Sequence, residues 1–195
     1  MRVPDKDRGP MADIVLETER LVLRTFDDAD AREQFERLNS PLVTEHLGGP
    51  RELHAIEASH DKSRADFARD GFGFMMMVEK ATGEAVGYVG LKRVDNRHAK
   101  NPGDFETGWL VREDRWRRGY AREAVGAVLD WAFTRHRAPL IVAMTADRNV
   151  PSWMLMEKLG MERRRDLDFD DPDYPPEDNP TILYSITREQ WENSQ

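Results

Sequence analysis

The fold class this sequence predicts is a single mixed α/β domain whose early sheet is largely antiparallel. Three observations predict it. Short stretches that alternate apolar and polar residues, such as RLVLRT at 20–25, have the period of half-buried strands. Two further strand-like stretches, FGFMMMVE (72–79) and AVGYVGLKRV (85–94), flank the glycine-containing turn KATGE and make a β-hairpin. From Ala121 the apolar residues Ala124, Val125, Val128, Leu129, Ala132 and Phe133 recur in steps of three and four, one stripe of an amphipathic helix. A length of 195 residues suits one domain with its own core, and no repeat or linker divides it.

The remaining elements follow in chain order. Residues 14–16 and 20–25 read as strands, with Leu21 and Leu23 on one side of the second. Asp27 or Asp28 is a suitable N-cap for a helix over 29–38. A second helix is expected over 53–67, with Ala55, Ile56, Ala58, Ala65 and Phe67 as its apolar residues. The polar loop DNRHAKNPGD leads into the strand FETGWLV at 105–111, and LIVAMT at 140–145 is another strand. PSWMLMEKL (151–159) has proline near the start of a helix and Gly160 just past its end. An acidic, proline-rich loop then precedes the strand TILYSIT at 181–187. Residues 1–12 are expected to be a disordered tail or extended start, with the domain over 13–195.

Composition narrows the function. A net charge of −8 argues against a broad nucleic-acid-binding face. With no cysteine, disulfides, zinc–thiolate sites and cysteine nucleophiles are excluded. No apolar run approaches the roughly 18 residues of a membrane span. The charged start, MRVPDKDRGP, lacks the apolar core of a signal peptide, so a cytoplasmic protein is expected.

Against that acidic background, EDRWRRGYAREAVG (113–126) stands out. A strand, a glycine turn and a helix start together make an anion cradle. The first N–H groups of a helix lack intrahelical partners, and the helix dipole adds partial positive charge there. Gly119 permits close backbone approach or a positive φ. The spacing matches neither a P-loop nor a dinucleotide fingerprint. The competing reading is an arginine-rich solvated turn paired with Glu113, Asp114 and Glu123.

The order of motifs resembles the GNAT N-acetyltransferase superfamily and, within it, the ribosomal-protein N-acetyltransferase (RimJ/RimL-type) subgroup. Five features carry the resemblance: ETERLVLRTFDDADA, GEAVGYVGL, the turn WRRGYA, N-x-x-S opening a helix that ends EKLGM, and LYSITREQW. In the superfamily signature Gln/Arg-x-x-Gly-x-Gly/Ala, Gly119 and Ala121 match. Trp116 departs at the first position, where aromatic residues are familiar in the subgroup. The resemblance implies a mixed sheet splayed between two neighbouring strands and flanked by helices. It implies acetyl-CoA as cosubstrate and no metal. The pantetheine arm would lie along Trp109, Leu110 and Val111, and the pyrophosphate on the amides of Arg117, Arg118, Gly119, Tyr120 and Ala121. Arg112, Arg115, Arg117, Arg118 and Arg122 are candidate helpers, with no basis for choosing among them. Asn149 matches the asparagine that bonds the pantetheine amide; capping of the next helix is its ordinary role. Members of the subgroup are often dimeric, which makes a homodimer an expectation of the resemblance alone.

Acetyl transfer to an amine needs a base, an oxyanion stabiliser and a proton for the leaving thiolate. A thioester is already activated, so direct transfer suffices. A strand N–H near Leu110 or Val111 is the candidate oxyanion donor. Glu106 is the candidate base, with a solvent-facing strand glutamate as the alternative. Ser152 is the candidate partner of the thiolate, or simply a first-turn hydroxyl; Tyr184 is a weaker candidate acid. His54, His60 and His98 show no metal-ligand spacing and read as solvated. The loop 166–178, with seven acidic residues and no basic one, either attracts a cationic amine or is merely solvated. Phe72 and Phe74 either line the cleft or pack. The acceptor is a small-molecule amine or a protein N-terminus, with no nucleic acid or membrane partner. A non-catalytic acyl-CoA sensor, or a scaffold whose acidic loop binds a basic protein, are the other classes considered.

Overall fold

The computed structural model describes residues 12–194; the expected tail at 1–12 lies almost wholly outside them. Eight strands form one sheet in the order β1-β2-β3-β4-β5-β6-β8-β7. They are β1 Ile14–Glu17, β2 Leu21–Arg24, β3 Phe74–Glu79, β4 Ala85–Arg93, β5 Phe105–Val111, β6 Leu140–Ala146, β7 Glu162–Arg163 and β8 Thr181–Thr187. All neighbouring pairs are antiparallel except β5 and β6. The helices are α1 Asp30–Arg37, α2 Leu53–Asp70, α3 Tyr120–Thr134, α4 Val150–Lys158 and α5 Arg188–Asn193. Among the described residues, no helix is long and apolar enough to cross a membrane.

The run Met75-Met76-Met77 shows why β3 reads as continuously apolar. All three are fully buried, and alternation sends them to opposite faces of the sheet. Met75 and Met77 join the main core with the stripe of α3, whereas Met76 joins Phe26 and Ala85 on the other face. The β3–β4 register skips Val86, a bulge beside the turn.

α2 departs from expectation. Its buried residues are Ile56, His60, Ser63 and Asp66, while Ala58 and Ala65 are exposed. Steps of four and three hold, but the inward stripe is mostly polar. Each of its polar side chains makes at least one hydrogen bond or ion pair, although the buried His60 Nδ1 has none among the described residues. The Ser63 hydroxyl accepts from Phe74 N (2.6 Å) and donates to Phe74 O (2.9 Å). His60, expected to be solvated, stacks on Phe26 with centroids 3.7 Å apart, and its Nε2 lies 2.7 Å from Gln34 Oε1. The N-cap of α1 is Ala29 rather than Asp27 or Asp28, yet the Asp27 carboxylate still accepts from the N–H groups of Ala29 and Asp30. α5 carries no apolar periodicity that would predict it. Its signal was the capping box Thr187-x-x-Gln190, and it seats Trp191 in the main core.

Burial holds His60 neutral, with its pKa pushed down to about 4. A histidine depressed in the folded state contributes stability above its ordinary value that is lost as pH falls through the folded value. His60→Phe keeps a ring against Phe26 but cannot titrate. The wild-type advantage in urea midpoint over this variant should therefore narrow as pH drops from 6.5 towards 4. A constant difference over that window would contradict it.

Candidate active site

The site begins where β5 and β6 part. β5 pairs with β4 along its whole length, from Arg93↔Phe105 to Gly87↔Val111, but with β6 only at Phe105↔Ile141 and Glu106↔Val142. Because β5 and β6 are parallel, their C-terminal ends open side by side. β5 then leads into α3, and β6 into α4. Two helix N-termini thus flank one opening, where their dipoles place partial positive charge.

Register decides which backbone groups face that opening. Arg112 N donates to Val86 O (2.9 Å), and Val94 N donates to Asp104 O (2.8 Å). Both pairs keep the β4–β5 register, so even-numbered residues turn their backbone groups to β4 and odd-numbered ones turn away. Trp109 and Val111 therefore present N–H groups to the opening. Leu110 does not; its backbone belongs to β4, and its side chain packs with Leu38, Val43 and Tyr88. The Val111 carbonyl is already engaged by the Trp116 indole N–H at 2.7 Å. No local signal foretold that bond.

The turn between β5 and α3 contains two left-handed residues, Arg117 (φ 59°) and Gly119 (φ 83°). Such residues curve successive N–H groups into a concave row. Gly119 is the N-cap of α3 and has no side chain to satisfy the first-turn amides, which are left as donors for an anion. Ala121 is half-buried. The Tyr120 side chain points into the core, with its hydroxyl donating to Glu79.

The five arginines sort into two groups. Arg112 is buried and bonds Asp114 (2.6 Å), Glu84 (3.1 Å) and the Ala85 carbonyl. Arg115 bonds Glu84 at 2.6 Å. These two brace the turn from beneath. Arg117, Arg118 and Arg122 are exposed and, among the described residues, have no ion-pair partner.

Glu106 lies on the face opposite Thr107 and Trp109, and its side chain is only 15% exposed. Burial raises its pKa above the ordinary carboxylate value, while Lys92, 3.3 Å away, pulls the other way. Lys92 also contacts Asp95 (2.9 Å), and Asp95 contacts Lys62 (3.1 Å). Next to Glu106, Gly108 leaves room for Phe74, whose ring tip would lie 3.1 Å from a Cβ there. Phe74 and Tyr88 meet edge-on at 5.9 Å on this side. Phe72 packs instead against Phe105 in the main core.

On the other bank, Asn149 sits at the α4 N-cap without making a side-chain cap bond; its Nδ2 donates to Thr145 Oγ1 (2.9 Å). Ser152 is half-buried in the first turn, and among the described residues its hydroxyl has no hydrogen-bond partner. Tyr184 is buried, with its hydroxyl on Glu157 (3.2 Å).

The acidic loop is knitted into the protein. Asp166 pairs with Arg164, Asp168 with Arg163, Asp173 with Arg97, and Asp178 with Arg148 and His46. Asp171 is buried and accepts from Asn96 (2.6 Å). Most of its charge is thus neutralised locally. His54 is exposed as expected, but His98 is half-buried. Its ring lies with Asp171 and Asp173 in a group whose ligating atoms all fall within 4.8 Å. Arg97 bridges two members, reaching His98 Nε2 (2.9 Å) and Asp173 (2.8 Å).

Residues 20–162 match the family model described as the acetyltransferase (GNAT) domain. The chain belongs to the GNAT acetyltransferase family. The chain is 26% identical over 147 residues to the uncharacterized N-acetyltransferase YnaD of Bacillus subtilis, covering 75% of this chain and 81% of that one. An acetyltransferase structure from Agrobacterium tumefaciens superposes with a TM-score of 0.76 at 27% identity, over 94% of this chain and all of that one. A spermidine N-acetyltransferase from Vibrio cholerae, solved with CoA and spermine, shares the fold at a TM-score of 0.70 and 16% identity, over 89% and 99% of the two chains. The protein is accordingly an acetyl-CoA-dependent acetyltransferase with a mixed sheet flanked by helices.

An NMR titration of the Glu106 carboxyl should give a midpoint above the ordinary 4.5, since burial outweighs Lys92. Lys92→Met removes the nearest cation and should move that midpoint higher still. A midpoint unmoved by the substitution would show that the pair does not interact.

Proposed function

We propose that this acetyltransferase moves the acetyl group of acetyl-CoA directly to a primary amine, either a small molecule or a protein N-terminus. The observation that carries this reading is the parting of β5 from β6 between two helix N-termini. Trp109 and Val111 offer the pantetheine arm a strand edge of the kind that added β-strands use. The amides from Arg117 to Ala121 receive the pyrophosphate, and Arg117, Arg118 and Arg122 are the arginines free to assist. Asn149, tethered at Thr145, offers its amide to pantetheine.

In the transfer step, Glu106 takes the amine proton directly or through water. A proton-transfer catalyst of this kind contributes roughly 10²–10⁴-fold. Its raised pKa suits a base acting near neutral pH. A backbone N–H on the opening, from Trp109 or Val111, polarises the thioester carbonyl. Ser152 stabilises the departing thiolate with a hydrogen bond, and the proton taken from the amine by Glu106 returns through water to complete CoA–SH. Trp116 in the signature turn and the opening ETERLVLR support a kinship with the ribosomal-protein N-acetyltransferase subgroup. Because the carboxylates of the acidic loop are mostly paired, acceptor choice falls to the shape of the Phe74–Tyr88 side rather than to bulk positive charge.

Gly119→Asp should abolish CoA binding, since any side chain is strained at φ 83° and a carboxylate repels phosphate. Unchanged affinity in calorimetry would remove the pyrophosphate from this turn. Glu106→Gln should lower kcat by roughly 10²-fold or more with little change in acetyl-CoA affinity, the deficit narrowing as pH falls and the wild-type carboxyl becomes protonated. A transfer screen over amino acids, polyamines, aminoglycosides and N-terminal peptides identifies the acceptor. Equal wild-type and Glu106→Gln activity across pH would exclude Glu106 as the base.

A further inference from the structure

Arg20 closes the turn between β1 and β2, far in sequence from the signature turn, yet it reaches the start of α3. Its Nε donates to Glu123 Oε2 at 2.6 Å, and its backbone N–H donates to Glu123 Oε1 at 2.8 Å. Thr18 adds a third bond to the same carboxylate at 2.5 Å. Burial works to raise the Glu123 carboxyl, but these bonds outweigh it and hold the group below its ordinary value. The guanidinium lies 4.6 Å over the Tyr120 ring. Anchored in this way, Arg20 Nη1 donates to the Arg118 carbonyl at 2.9 Å.

That last bond has a geometric consequence. In a trans peptide the C=O of one residue and the N–H of the next point in opposite directions. Fixing the Arg118 carbonyl towards Arg20 therefore fixes the Gly119 N–H away from it. A glycine at positive φ is otherwise permissive, and nothing in its own side chain prevents this peptide from turning over. We infer that Arg20, held by Glu123, is a positioning residue that locks the Arg118–Gly119 peptide so that the Gly119 amide faces the bound pyrophosphate. The inference rests on the reading of this turn as the CoA phosphate site. It adds Arg20 to a phosphate-binding turn built otherwise from residues beyond 100. Arg20 acts through the turn and not as a phosphate ligand.

The test compares CoA with pantetheine, which lacks the phosphates, by calorimetry and NMR titration on the full chain. Arg20→Gln should weaken CoA roughly ten- to hundredfold, the effect of losing a charge-assisted hydrogen bond, and leave pantetheine unchanged. Arg20→Lys keeps the cation but lacks the planar fork that reaches Glu123 and Arg118 together, so it should not restore affinity. If Arg20→Gln does not fold, Arg20→Lys carries the same comparison. Glu123→Gln separates positioning from simple charge. Removing a negative charge near an anion should tighten binding, whereas loosening Arg20 should weaken it. Unchanged CoA affinity in the Arg20 variants, full rescue by lysine, equal losses for CoA and pantetheine, or tighter binding by Glu123→Gln would each overturn the inference. Failure of the wild type to bind CoA would instead overturn the phosphate-site reading beneath it.

Discussion

The parallel pairing of β5 with β6 stops after Phe105 and Glu106, and the rest of the site depends on that stop. Both strands are well held on their other sides, β5 by β4 and β6 by β8. Neither can turn to follow the other, so the strands diverge and leave backbone donors of Trp109 and Val111 facing a gap inside the sheet. Such groups are ordinarily paired in native proteins, and an unpaired buried one costs about 1–3 kcal/mol. An extended strand is the kind of partner that satisfies such an open edge. One interrupted ladder thus leaves an open strand edge inside the sheet.

Electrostatics at the opening are arranged in two tiers. Glu79, Glu84 and Asp114 hold Arg112 and Arg115 beneath the turn, where their charges are neutralised. The exposed arginines above, together with the first amides of α3, remain for an anion. An overall charge of −8 therefore does not conflict with a locally positive turn. Across the sheet, Glu106 is balanced between burial, which favours its neutral form, and Lys92, which favours its charge. A carboxylate in that balance is closer to proton exchange at neutral pH than a solvated one.

Much of the fold was legible because periodicity is local. The stripe from Ala124 to Phe133, the hairpin around Thr82-Gly83 and the alternation in FETGWLV each specify an element without long-range information. α2 was legible as a helix but not in its buried face. His60 and Ser63 are polar, and only their partners Gln34, Phe26 and Phe74 make them interior residues. The acidic loop reads as a charged patch in one dimension, but Arg97, Arg148, Arg163 and Arg164 dispersed along the chain neutralise it.

The sequence by itself determined the strand–turn–helix at 105–134, a permissive glycine at 119, the absence of cysteine chemistry and the family. These follow from backbone conformational limits and residue chemistry. Tertiary structure alone decided that Leu110 turns its backbone to β4, that Trp116 occupies the Val111 carbonyl, that Lys92 faces Glu106 and that Arg20 grips Arg118. Each depends on strand register or on contacts between distant segments. A one-residue shift in register would reverse the first and third, and no local pattern encodes that choice.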